Sequence, residues 1–216
     1  MKALAFVAGT AVGVTATIAM AGSRMAALYR QACTDSLTGV ANRAGLLAAW
    51  PGLAPIAPVI AMLDLDGFKP VNDTYGHAAG DTVLATVAAR LARVAGGVVA
   101  RLGGDEFALI LPGPIRHAYT LAVLAAAEIA LSIEVAKDVA VTVTASIGLA
   151  RAVDGDLAQA LAAADAAMYR AKSSRTGVVV YDPRLDDHTS PRADSRPVVR
   201  VRDLPHHIDL IEGVAQ

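Results

Sequence analysis

The chain has 216 residues, 55% of them hydrophobic, with one cysteine and a formal net charge of −1. That length suits one domain with its own core plus short appendages. Near-neutral charge gives no attraction to a polyanion, so nucleic acid is not an expected partner. The single cysteine, Cys33, excludes an intrachain disulfide and offers no zinc pattern.

Residues Ala3 to Gly22 carry no charge, with Lys2 before them and Arg24 after. Twenty such residues just reach across a bilayer as a helix. The small, threonine-rich composition makes a weak span, and Gly9, Gly13 and Ala16 give it a small-residue face suited to pairing in a membrane. A cleavable secretory signal is the rival reading, since Ala19-Met20-Ala21 resembles a cleavage site. Flanking charge does not separate the two. A short helix over Met25 to Ala32 is expected to lead into Thr34-Asp35-Ser36-Leu37-Thr38-Gly39, which suits a turn, with a helix from Ala44 to Trp50. Pro51, Pro55 and Pro58 then mark a loop.

Val59-Ile60-Ala61-Met62-Leu63 is a continuous apolar run, as in a central strand covered on both faces. The segment Asp64 to Asp81 is polar and glycine-rich and reads as a loop. Helical spacing of Val83, Leu84, Val87, Leu91 and Val94 puts Asp81 at or near the start of a helix. Gly96-Gly97 stops it. Two β-type runs, Val98 to Ala100 and Ala108 to Leu111, flank Gly103-Gly104-Asp105-Glu106 and predict a hairpin. A helix from Arg116 to Val135, a strand from Val139 to Ala150, a helix from Leu157 to Lys172 and a strand from Val178 to Tyr181 complete the pattern. Beyond Asp182 the chain is rich in proline, arginine, aspartate and histidine and reads as a mostly disordered tail. His206-His207 there has no neighbouring cysteine or third histidine to make a metal site.

The resulting organisation is a hydrophobic segment over 1–23, a linker helix over 24–33, one domain over 34–182 and a tail over 183–216. Strands alternating with helices, plus one hairpin, predict an α/β (α+β) domain: a mixed central β-sheet with flanking helices.

The chemistry concentrates at two points. Asp64 ends a buried strand, and Asp105 and Glu106 leave the hairpin turn; taken alone, such a hairpin is also compatible with ordinary solvated acids. If the two strands are neighbours, three carboxylates converge, and unpaired carboxylates that close repel one another. A divalent cation, Mg2+ or Mn2+, resolves the repulsion, with substrate phosphates completing its oxygen shell. Backbone amides of Gly67, Phe68 and Lys69 suit phosphates. Asn72 and Asp81 are candidate base readers, and a carboxylate at Asp81 matches the paired donors of guanine. Lys172 and Arg175, at the end of the last helix, are candidates for the terminal phosphates.

Five ordered stretches resemble the GGDEF domain of diguanylate cyclases. They are Thr34 to Arg43, Asp64 to Asp81, the signature Gly103-Gly104-Asp105-Glu106-Phe107, Ala145 to Ala150, and Ala164 to Lys172. The resemblance covers roughly Thr34 to Asp182. It implies a palm-like nucleotidyl-cyclase fold and condensation of two GTP into cyclic di-GMP across a homodimer. It further implies metal binding by Asp64, the Leu65 carbonyl, Asp105 and Glu106, with one acid of the pair as base. Asn72 and Asp81 match guanine-reading positions, His77 a further substrate position, and Lys172 a phosphate-binding lysine. Because GTP is cytoplasmic, the resemblance favours an uncleaved anchor in the cell membrane with the domain facing the cytoplasm.

Two departures stand out. After Lys172 the family usually continues with two residues and then Gly-Arg-Asn; here the run is Ser173-Ser174-Arg175-Thr176-Gly177. The arginine position therefore holds Thr176, with Arg175 one residue early. The family's product-inhibition pair, Arg-x-x-Asp, falls on Val94 and Gly97, so inhibition through that site is not expected. The alternative function is a GTP-binding regulatory module without turnover.

Overall fold

The computed structural model describes residues 24, 28–54 and 57–186. The expected hydrophobic helix over 3–22, and the tail beyond Asp186, lie outside the described residues. Among the described residues no helix is long and apolar enough to cross a membrane.

Residues 28–33 are helical and lead into the turn at Thr34. The elements that follow are α1 (Arg43–Leu53), β1 (Val59–Asp66), α2 (Phe68–Tyr75), α3 (His77–Val94), β2 (Val98–Gly103), β3 (Glu106–Leu111), α4 (Ile115–Ile129), β4 (Ile133–Ala136), β5 (Val139–Val141), β6 (Thr144–Arg151), α5 (Leu157–Ser174) and β7 (Val178–Val180). Five strands form one sheet in the order β2-β3-β1-β6-β7. All its pairings are antiparallel except β6 with β7, so the expected mixed sheet is present.

β1 lies at the centre, and its unbroken apolar run follows from that position. Alternate residues of a strand point to opposite faces. Val59, Ala61 and Leu63 pack with Val83, Val87 and Leu91 of α3 and with Ala118, Ala122 and Ala125 of α4. Ile60 and Met62 pack on the other face with Leu46 of α1 and with Ala160, Leu161, Ala164 and Met168 of α5. Small residues let α5 lie close on the sheet: a Cβ at Gly148 of β6 would overlap the Ala164 carbonyl and the Met168 amide.

Several boundaries differ from the sequence reading. α1 runs through Pro51 to Leu53 instead of ending at Trp50, and Pro51 leaves the helix one bond short because it has no N–H to donate to the Leu47 carbonyl. The polar stretch after β1 is no loop: α2 forms there on two buried apolar anchors, Phe68 and Val71. α3 begins at His77, so Asp81 lies in its second turn. The long helix expected to Val135 stops at Ile129, and the single strand expected from Val139 to Ala150 is split. Val139–Val141 pairs with Ile133–Ala136 as a separate two-stranded ribbon, β5 with β4, while Thr144–Arg151 is β6 of the main sheet. The turn of that ribbon carries Asp138 at φ +61°, a left-handed conformation that aspartate tolerates better than most residues.

The chain also stays ordered past Asp182. Asp186 is buried and accepts from Arg170 Nε at 2.6 Å and Nη2 at 3.0 Å, and from the Asp182 amide at 2.8 Å.

Candidate active site

The carboxylates come together because β1 and β3 are antiparallel neighbours. Asp64 stands opposite Glu106 at the last pair of that ladder, and the Leu65 amide donates to the Asp105 carbonyl at 3.3 Å. Since Ile60 and Met62 face α5, alternation puts Asp64 and Asp66 on that face too. Glu106 follows the same rule from Ala108 and Ile110. Asp105 sits in the turn between β2 and β3, which Gly104 makes possible at φ +52°.

Lys172 reaches this point from the last turn of α5, and its Nζ donates to Asp64 Oδ1 at 2.6 Å. Burial pushes the Asp64 carboxyl above its ordinary value; Lys172 pulls it back, while the charges of Asp105 and Asp66 push it up. Burial alone would lower the Lys172 ammonium, but its hydrogen bond to Asp64 and the charges of Asp64, Asp66 and Asp105 raise it. The Lys172 shift reports an excess of negative charge around one lysine, whereas the Asp64 shift is led by burial, with the neighbouring acids adding to it. That excess, made of hard oxygen donors, fits a divalent cation. Among the described residues no group of three or more histidine, cysteine, aspartate or glutamate side chains is placed to hold a metal ion. The three carboxylates expected to converge therefore do not make a site on their own. The donor set is thus partial, as in magnesium sites finished by phosphate and water.

The phosphate and base positions follow directly in the chain. Gly67 caps α2 in the left-handed region, φ +81°, with no side chain to bond the first amides. The amides of Phe68 and Lys69 therefore point out of a helix N-terminus, where anions are favoured. Phe68 is buried and anchors this turn, whereas Lys69 is exposed. Gly76 links α2 to α3 at φ +81°, folding the two helices against each other. Asn72 is brought against α3 by this fold: a Cβ on Gly80 would overlap Asn72 Oδ1. Asp81, the next residue, is exposed, as is His77 at the first position of α3.

Arg175 is exposed and caps α5 in the left-handed conformation, φ +55° and ψ +37°. It is not brought against Asp64 as Lys172 is. At the former inhibition-site positions, a Cβ on Gly97 would overlap the Ile110 carbonyl, so the backbone there is packed for glycine.

Two supporting groups had no role in the sequence reading. Asp66 accepts from Ser146 Oγ at 3.0 Å and from Thr144 Oγ1 at 3.4 Å, which fixes a second carboxylate beside Asp64. The i, i+2 spacing of Asp64 and Asp66 was the signal that both share a face. Arg101 donates through Nη2 to the Gly104 carbonyl at 2.8 Å and through Nη1 to Asp35 Oδ1 at 3.3 Å, tying the hairpin turn to the Thr34–Thr38 turn. Burial would raise the Asp35 carboxyl, but hydrogen bonds from the Thr38 hydroxyl and amide, together with the Arg101 charge, hold it below its ordinary value. No sequence periodicity connects these residues.

A family model described as "Diguanylate cyclase, GGDEF domain" matches residues 32–177, more than half the chain. Diguanylate cyclase DgcN of Escherichia coli (strain K12) is 36% identical over 168 residues, which cover 73% of this chain and 41% of DgcN. The chain spans from 21% to 89% of the length of the curated relatives it matches. Diguanylate cyclase SiaD of Pseudomonas aeruginosa, solved with its activator SiaC, superposes with a TM-score of 0.68 at 31% identity, covering 83% of this chain and 73% of SiaD. The coiled coil and GGDEF domain of DgcB from Caulobacter crescentus, solved with c-di-GMP, gives a TM-score of 0.70 at 28% identity, covering 81% of this chain and 98% of that one.

Proposed function

This chain belongs to the GGDEF domain family of diguanylate cyclases, and from that membership we propose that it condenses two GTP into cyclic di-GMP with release of two pyrophosphates. The observation that carries the reading is the pairing of Asp64 with Glu106 across β1 and β3, with Asp105 at the turn and Lys172 arriving from α5.

In this reading the amides of Phe68 and Lys69 and the ammonium of Lys172 hold the triphosphate. Asn72 and Asp81 read the guanine edge, with His77 beside them, and Arg175 reaches toward the terminal phosphates. Asp64, the Leu65 carbonyl, Asp105 and Glu106 would hold Mg2+ or Mn2+, which would neutralise phosphate charge. One carboxylate of the Asp105–Glu106 pair takes the proton of the 3′-hydroxyl. That oxygen bonds to the α-phosphorus of the second GTP, and the bond to the β-phosphate breaks. The second 3′-hydroxyl repeats the attack and closes the ring. Each protomer holds one GTP, so two protomers must face each other.

We further propose that residues 3–22 anchor the protein in the cell membrane with the domain on the GTP-containing, cytoplasmic side. The support is their length and lack of charge. The alternative of a regulatory GTP-binding module draws only on Arg175 and Thr176.

Incubation of purified protein with GTP and Mg2+, with products resolved by mass spectrometry, tests the assignment. Cyclic di-GMP is expected, and the Asp105→Ala/Glu106→Ala variant is expected to bind GTP and release none. Equal turnover by that variant would remove the carboxylates from the mechanism.

A further inference from the structure

Lys172 Nζ and Asp64 Oδ1 form a 2.6 Å ion pair between α5 and the end of β1. In the function proposed above these groups have different targets, the terminal phosphates for Lys172 and the divalent cation for Asp64. While this ion pair stands, the ammonium covers an oxygen that the cation needs. Two positive groups on one carboxylate oxygen repel, so the two occupants compete.

The surroundings favour exchange. The Asp64 side chain is 14% exposed and fixed in the central strand, whereas Lys172 is 49% exposed on a flexible stem at a helix end. Asp66, on the same face, accepts from the Ser146 and Thr144 hydroxyls, while Lys172 bonds Asp64. A triphosphate arriving at α2 brings more negative charge than one carboxylate and draws the ammonium away.

We infer that Lys172 is a placeholder for the divalent cation: it neutralises Asp64 before substrate arrives, and the nucleotide releases that carboxylate by taking the lysine. Cation and nucleotide then load as a unit, and the protein without nucleotide resists free metal. This rests on the reading of Asp64 as a cation ligand.

The test is Mn2+ binding to the purified, nucleotide-free full chain, read from the electron paramagnetic resonance of free Mn2+. Lys172→Met is expected to tighten Mn2+ binding about fivefold, the factor for losing a competing pair of partly exposed charges. Lys172→Arg keeps a cation at the position and is expected to stay near the wild-type affinity. GTP binding measured without metal is expected to weaken in Lys172→Met, opposite in sign to the Mn2+ effect. Asp64→Asn is expected to remove the Mn2+ site in either background. If Asp64→Asn removes Mn2+ while Lys172→Met leaves its affinity unchanged or weaker, the placeholder is wrong and the cation site stands. Tightening by Lys172→Arg as large as by Lys172→Met would also overturn it, since charge would not be the agent. Mn2+ binding indifferent to Asp64→Asn would overturn the cation site and the placeholder together. A cooperative urea unfolding transition in each variant confirms that folded proteins are compared.

Discussion

Arg175 holds φ +55° at the end of α5, a conformation that costs a residue with a Cβ roughly 1 kcal/mol relative to glycine. The usual family pattern has glycine at this point, so the departure at Arg175-Thr176 has a local cost. Arg175→Gly is expected to raise stability by about 1 kcal/mol in urea unfolding, because only glycine takes this backbone freely. The same variant reports on phosphate binding. If Arg175 replaces the displaced family arginine, GTP affinity falls while stability rises; if affinity holds, Arg175 is a cap and nothing more. Gly80 presents the reverse case. Its missing side chain makes room for Asn72 Oδ1, so Gly80→Ala is expected to push that amide aside. The measurable outcome is a GTP affinity lowered about tenfold, of the order of one well-placed hydrogen bond. Equal affinity would show that Asn72 does not read the base.

Among the elements, the segment after β7 makes the clearest prediction. Burial would raise the Asp186 carboxyl, but hydrogen bonds from Arg170 and the Asp182 amide, with the Arg170 charge, hold it below its ordinary value. A carboxyl depressed in the folded state adds stability above its unfolded value, and that stability is lost as pH falls through the folded one. Asp186→Asn is therefore expected to cost roughly 1–3 kcal/mol at neutral pH and to flatten the acid limb of the stability curve. A pH profile parallel to wild type would show that the carboxylate charge is not what fastens this segment. The sequence reading placed the domain end at Asp182, since nothing in Pro183-Arg184-Leu185-Asp186 announces a partner on α5. Elsewhere the legible elements are those with strong periodicity or continuous apolar runs: β1, β3, α3 and α5. α2 was hidden because eight residues with two buried anchors carry too little pattern. β4 was hidden because no glycine or proline separates Ile133 to Ala136 from α4, and Lys137-Asp138 is a weak turn signal, while β5 was read as the start of one long strand from Val139 to Ala150. The carboxylates were legible from motif and spacing. Their partner was not: Lys172 meets Asp64 across 108 residues, and the packing of α5 on β1 and on β6 at Gly148 sets that approach.

At the scale of the molecule, the proposed function makes this site half of a reaction centre. One face of the sheet presents one set of carboxylates and one lysine, yet cyclic di-GMP requires two attacks by two 3′-hydroxyls. A protomer supplying one base and one nucleotide completes only one of them. This makes activity quadratic in competent protomers. Wild type is mixed with the Asp105→Ala/Glu106→Ala variant at fixed total protein, high enough that all chains are paired and exchange freely. With equal amounts, about a quarter of the pairs hold two competent sites, so cyclic di-GMP formation is expected to fall to about a quarter of the all-wild-type rate. Independent protomers would give about a half. The mixed pairs are expected to carry out a single attack, so the linear dinucleotide triphosphate should accumulate in step with their fraction. A linear dependence on the wild-type fraction, without that intermediate, would mean that one protomer performs both attacks and that the facing-protomer geometry is wrong.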